Sequence, residues 1–168
     1  EYILKLKEKK LQLLEVYLLE ELRRLLHKEN LITKVTINKK SFEIILYDKD
    51  ENAIPKDLLS KGEQQMFATG VLLALARTSG KPLPFMIDTP LARLDVSHRD
   101  NMIEKFFPYA SHQVVIFSTD SEISEGYYQQ LLPHLSRSYA MEYLPGEGKT
   151  KQHLGYFWND KGERIVAV

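Results

Sequence analysis

The stretch Phe85-Met86-Ile87-Asp88-Thr89-Pro90-Leu91-Ala92-Arg93-Leu94-Asp95 decides the fold. The apolar run after Pro84 reads as a short strand, and Asp88 closes it. Ligands of open α/β sheets gather at the carboxyl ends of strands, where an Asp can hold Mg²⁺ directly or through water. A lone Asp there also serves simply to start a loop. The Leu-Asp pair at Leu94 and Asp95, just downstream, argues against coincidence.

Working outward, a second apolar run from Gln113 to Phe117 ends in Ser118-Thr119-Asp120, and a helix is expected between the two, from about Ser97 to Phe107. Two buried strands joined through a helix predict a parallel βαβ unit whose strand ends, at Asp88 and Thr119, face one crevice. A further helix is expected from about Ser121 to Leu132. Thr119 and Glu122 have the spacing of a capping box at its start.

Upstream, Leu59-Ser60-Lys61-Gly62-Glu63-Gln64-Gln65 stands where a loop becomes a helix, expected from Glu63 to about Arg77. That helix is apolar on nearly every face (Met66, Phe67, Val71, Leu72, Leu73, Leu75), which predicts burial all round. Gly70 would permit close approach of another backbone. A serine hydroxyl, a glycine and free amides at a helix N-terminus form a ready anion site. Ser60 and Glu63 equally satisfy a capping box.

The flanks are simpler. From Glu1 to about Lys28 leucines recur at Leu4, Leu11, Leu18 and Leu25, with Leu14 and Leu22 in the same stripe, so the helix is either docked on a core or the end of a coiled coil. The chain opens in the middle of this pattern without Met, which we read as a fragment of a longer protein. A hairpin is expected from Val35–Ile37 and Phe42–Tyr47 around Asn38-Lys39-Lys40-Ser41, then a polar loop to Lys56, and a second hairpin from Arg137–Leu144 and His153–Trp158. Gly146-Glu147-Gly148-Lys149-Thr150 ends like a phosphate-binding P-loop, but that motif needs glycine where Tyr143 stands, and a hairpin turn fits better.

Composition excludes more than it names. With 23 basic and 23 acidic side chains there is no global attraction for nucleic acid. The absence of cysteine rules out disulfides, thiolate metal sites and thiol nucleophiles, and fits a reducing cytoplasm. No apolar run reaches the ~20 residues of a membrane span. His27, His98, His112, His134 and His153 show no metal-ligand spacing. The cluster Arg23, Arg24, His27 and Lys28 reads as a solvated face, and Tyr156 and Trp158 as packing groups. A free-standing metal nuclease built on Asp88 and Asp95 would want a further carboxylate cluster, which the sequence lacks.

In order, the three motifs resemble the ABC signature, the Walker B strand with its D-loop, and the switch segment of SMC and ABC ATPase heads. LSKGEQQ, FMIDTPLARLD and VVIFSTDSEI together resemble the DndD-type branch that serves DNA phosphorothioate (sulfur) modification, as does Gly155-Tyr156-Phe157. The resemblance covers about Leu58 to Phe157. It implies an α/β P-loop NTPase fold: a C-terminal head lobe (29–168) with a mostly parallel core sheet, flanking helices and a C-terminal hairpin, carrying the end of a coiled-coil arm (1–28).

It further implies ATP and Mg²⁺ as cofactors and ATP hydrolysis as the activity, with the P-loop on a separate N-terminal lobe and the isolated chain inactive. Ser60, Lys61, Gly62 and Glu63 would face the nucleotide, Ser60 and Gly62 touching the γ-phosphate held mainly by an opposing head. Asp88 would serve the metal, and Asp95 would sit in the loop crossing a homodimer of heads. Implied partners also include DNA and other sulfur-modification proteins, with no membrane. Thr89 stands where many relatives place the Glu that polarises water, and Thr119 where they place the switch His. A threonine hydroxyl can hydrogen-bond phosphate or water but is no general base near neutral pH. The competing expectation is an ATP-gated DNA-binding scaffold with little turnover.

Overall fold

Helix α1 (Tyr2–Leu25) contains no Gly or Pro, and its leucine stripe divides in two. Leu11, Leu18, Leu22 and Leu25 are buried, whereas Tyr2, Ile3 and Leu4 are exposed. The computed structural model describes residues 2–26 and 31–157. His27, Lys28 and Trp158, each named in the sequence analysis, lie outside them. The chain divides into two compact units, residues 1–117 and 118–168, each described by itself.

In the first unit α1 packs against α2 (Lys61–Ser79). Gly70 makes the fit possible, because a Cβ there would lie 3.1 Å from Leu22 Cδ2 and 3.6 Å from Leu18 Cδ1. The close approach expected at Gly70 is therefore made by side chains. Each fully buried leucine in this seam contributes about 1.5–3 kcal/mol. The expected all-round burial of α2 is not found. Met66, Gly70, Leu73 and Ala74 form one buried stripe, while Leu72 is 57% and Leu75 47% exposed, since α1 covers a single face. Gly80, at φ 70°, ends the helix in the left-handed conformation glycine favours.

Strands β1 (Lys34–Ile37) and β2 (Ile44–Tyr47) form the expected antiparallel hairpin. A short β3 (Ala53–Ile54) adds to β2 inside the segment expected to be loop. Asp48 turns the chain there, its carboxylate accepting from the amides of Asp50 and Asn52 at 2.8 and 2.9 Å.

Strands β4 (Phe85–Asp88) and β5 (Val114–Phe117) pair in parallel, with Asp88 opposite Phe117. Among the described residues the parallel sheet consists of these two strands. Met86 is 67% and Phe117 55% exposed, so the strands are half-covered and not buried as expected. Phe106 supplies the cover on Phe85, ring edge to face at 6.1 Å. The connecting helix α3 (Val96–Asn101) opens into a π-helical turn, Met102–Phe106, and a 3-10 turn, Phe107–Tyr109. Pro108, which cannot donate to an α-helical ladder, accounts for the change of winding.

The second unit begins with a turn in place of the expected helix start at Ser121. The Thr119 carbonyl accepts from the amides of Glu122 and Ile123, and α4 (Glu125–Leu131) follows after Ser124. Thr119 is thus not a capping-box residue. Strands β6 (Tyr139–Leu144) and β7 (Lys149–Leu154) form the second hairpin. Its tip holds Gly148 at φ 61°, which leaves Lys149 and Thr150 as strand residues, so the GEGKT stretch is a hairpin turn. No helix among the described residues is long and apolar enough to cross a membrane.

Candidate functional site

The N-terminus of α2 carries a complete capping box. Ser60 Oγ accepts from the Glu63 amide at 3.2 Å, and Glu63 Oε2 accepts from the Ser60 amide at 2.8 Å. The capping reading of this motif is therefore realised. It does not exhaust the serine, because a hydroxyl that accepts in the cap still has its proton to donate. The adjacent Gly62 lies against the turn after β4, where a Cβ would meet the Arg93 carbonyl at 3.5 Å, an ordinary contact.

The first turns of α2 and the end of β4 line one open cleft of about 410 Å³, formed by Lys61, Gln64, Gln65, Asp88, Thr89, Ala92 and Arg93. Lys61 reaches Gln64 Oε1 at 3.3 Å, and Gln64 Nε2 donates to the Leu59 carbonyl at 2.9 Å. Two cations and one carboxylate face the same space, a lining suited to a phosphate group and its counter-ion. Asp88 is exposed, and no group of three or more His, Asp or Glu side chains gathers among the described residues. One carboxylate fits Mg²⁺ accompanied by phosphate and water, since that ion takes one or two protein carboxylates in nucleotide sites.

Thr89 has φ 47°, a left-handed backbone in a β-branched residue, and its amide donates to the Phe117 carbonyl at 2.8 Å. Asp95 caps α3, accepting from the His98 amide at 2.9 Å and meeting His98 Nδ1 at 2.8 Å. The amide of His98 holds the Asp95 carboxyl below its ordinary value, partly opposed by burial, with the His98 ring adding to the depression. Of the expected residues, Lys61, Asp88 and Thr89 thus share the cleft, Ser60, Gly62 and Glu63 adjoin it along α2, and Asp95 ends the turn that follows it.

In the second unit, Thr119 Oγ1 lies 3.1 Å from Ser121 Oγ. Tyr156 tethers this segment, its hydroxyl 2.9 Å from Ser118 Oγ and donating to the Thr119 carbonyl at 3.0 Å. Its ring stacks on Tyr128 at 4.9 Å. Burial pushes the Tyr156 hydroxyl up to about 12. Sequence reasoning saw Tyr156 as a packing residue and missed this polar role. It also passed over Gln65, whose Nε2 donates to the Pro90 carbonyl at 2.6 Å; neither has a local sequence signal, because each partner is remote in the chain.

No family model matches the chain, and no curated protein matches it by sequence. Among solved structures it is similar to SMC head domains. One, from work on ATP-driven dimerization and DNA stimulated activation of SMC ATPases, matches with a TM-score of 0.61 at 12% identity over 87% of this chain and 85% of that one. The SMC head domain from Thermotoga maritima matches at 0.55 and 14% identity, over 86% of this chain and 48% of that one. An SMC head bound to the C-winged helix domain of ScpA matches at 0.62 and 15% identity, over 88% and 44% respectively. The chain spans less than half of these last two. Its fold is SMC head-like α/β.

Proposed function

We propose that this chain is the C-terminal lobe of an SMC-like ATPase head, with residues 1–28 ending a coiled-coil arm and 29–168 forming the lobe. What supports the reading most is the cleft that joins the capped start of α2 to Asp88 and Thr89, inside an SMC head-like fold. ATP would be held mainly by a P-loop on a separate N-terminal lobe, which would also complete a mostly parallel core sheet beside β4 and β5. Ser60, Lys61, Gly62 and Glu63 would face the nucleotide, Ser60 and Gly62 meeting the γ-phosphate held mainly by the opposing head of a homodimer, with Asp95 in the crossing loop. Asp88 would hold Mg²⁺, which when bound offsets the charge that develops on the transferred phosphate.

The chain's own groups then have defined tasks. The Ser60 hydroxyl donates while remaining an acceptor in its cap, and Lys61 and Arg93 supply positive potential. Thr89 and Thr119 can orient water or phosphate but take no proton at neutral pH. We assign the full-length protein to DNA phosphorothioate modification or the associated restriction, in the cytoplasm, with DNA and other sulfur-modification proteins as partners. The observation favouring the second reading, an ATP-gated DNA-binding scaffold with little turnover, is that the turn after Asp88 offers Thr89 in place of a carboxylate.

The test is ATP binding and phosphate release by this chain alone and mixed with the separately produced N-terminal lobe. Silence alone and turnover on mixing is the expected result. ATP binding on mixing without phosphate release would select the scaffold, and turnover by this chain alone would overturn the division of labour.

A further inference from the structure

Thr89 is disfavoured on two counts. Its φ of 47° suits glycine and not a β-branched residue, and the following Pro90 crowds helical conformations at the position before it. Two hydrogen bonds hold the turn there. The Thr89 amide donates to Phe117 of β5 at 2.8 Å, and Gln65 Nε2 of α2 donates to the Pro90 carbonyl at 2.6 Å. Pro90 and Leu91 are fully buried, so the turn is anchored on its far side as well.

Gln65 stands about 1.4 helical turns beyond the Ser60 cap, about 7.5 Å along the helix axis. It shares the cleft with Lys61 at the helix start and with Asp88 and Thr89 at the strand end. The Gln65 side-chain amide thus ties the first turns of α2 directly to the Pro90 carbonyl, next to the strained peptide before it.

We infer that Gln65 is a positioning residue that couples phosphate engagement at the start of α2 to the backbone conformation of Thr89 beside Asp88. The inference rests on the ATPase-head reading above. Without the amide the turn relaxes towards negative φ and the Thr89 side chain is re-aimed, while the capping box at Ser60 and Glu63 is untouched.

The experiment uses the full-length protein with Gln65→Met, which keeps the length and loses the donor, and with Gln65→Asn, which stays polar but falls short of the carbonyl. Three quantities are read: head association with a non-hydrolysable ATP analogue, kcat against KM, and amide exchange at Thr89 with and without the analogue. Both variants are expected to associate as the wild type does. Their kcat should fall about tenfold or more with little change in KM, and the protection that nucleotide gives the Thr89 amide should disappear. A Gln65→Asn variant with wild-type kcat and nucleotide-dependent protection at Thr89 would overturn the coupling and leave the head reading standing. Failure of the wild type itself to associate would sink the head reading and the coupling with it. Should Gln65→Met not fold, Gln65→Asn decides alone.

Discussion

Arg77 of α2 meets the buried carboxylate of Glu21 in α1 at 2.7 Å, from a position 56 residues away in the chain. The same guanidinium reaches Glu20 at 2.9 Å and lies 4.1 Å from the Tyr17 ring centroid. Burial pulls the Arg77 guanidinium down, but the two carboxylates outweigh it and hold it above its ordinary value. Glu21 Oε2 also lies 2.6 Å from Arg24 Nη2, in ion-pair distance but off the direction of a hydrogen bond. Removing one partner of a buried pair costs about 3–5 kcal/mol; Arg77 is 42% exposed and Arg24 remains, so Arg77→Met should cost about 2 kcal/mol. Urea unfolding measures it, and no loss would make the pair ornamental.

Gly70 is set by packing. The Cβ of Gly70→Val would press on Leu22 and Leu18, both with 0% exposure, and neither has space to retreat. Overpacking of this kind costs about 1–3 kcal/mol, and the variant should melt well below the wild type.

Ser60 allows its two roles to be separated. Aspartate is as good an N-cap as serine, so Ser60→Asp should keep α2 and the fold intact. Its charge repels phosphate, and ATP-dependent head association should weaken by about tenfold or more, the equivalent of about 1.4 kcal/mol. Undiminished association, read by sedimentation or light scattering of the full-length protein, would remove Ser60 from the nucleotide site.

Asp95 bears on acid stability. Its folded carboxyl lies below the ordinary 3.8, so its cap contributes fully above that pH and is lost as pH falls through the depressed value. Asp95→Asn should retain the cap, whereas Asp95→Ala should lose about 1 kcal/mol at pH 7. The gap between Asp95→Ala and wild type should narrow as pH falls through the depressed value, as followed by unfolding at a series of pH values.

Tyr156 acts at the other end of the scale. Its folded value is raised to about 12 from 10.0, so its contribution is whole below pH 10 and declines as pH rises through 12. Over that window the wild type should lose about 2 kcal/mol that Tyr156→Phe does not lose. At neutral pH Tyr156→Phe should itself be less stable by about 1–2 kcal/mol, having given up bonds to Ser118 and Thr119.

Sequence pattern reached the parts of this molecule whose causes are local. The β1–β2 and β6–β7 hairpins, the parallel pairing of β4 with β5 and the capping box at Ser60 each follow from residues a few positions apart, or from apolar runs bounded by turn residues. Periodicity misled at α2, because apolar residues on every face say nothing about which faces have a partner; Leu72 and Leu75 remain exposed. It failed again at Ser121, where the Thr119 carbonyl spends itself on a turn before α4 can begin. Within the site, Ser60, Asp88 and Thr89 were legible as motif positions. Gln65 and Tyr156 were not, since their hydrogen-bond partners lie 25 and 37 residues away.

The seam of Gly70, Leu22 and the Glu21–Arg77 pair joins α1 to α2 by both packing and charge, so a tilt of one carries the other. With 24 residues α1 is about 36 Å long; its buried leucines end at Leu11, and N-terminal to Lys7, which lies over the Phe42 ring, Tyr2, Ile3 and Leu4 are exposed. A tilt of α2 by only about 5° would swing the far tip of α1 through about 3 Å, more than the length of the hydrogen bond that links Gln65 to Pro90.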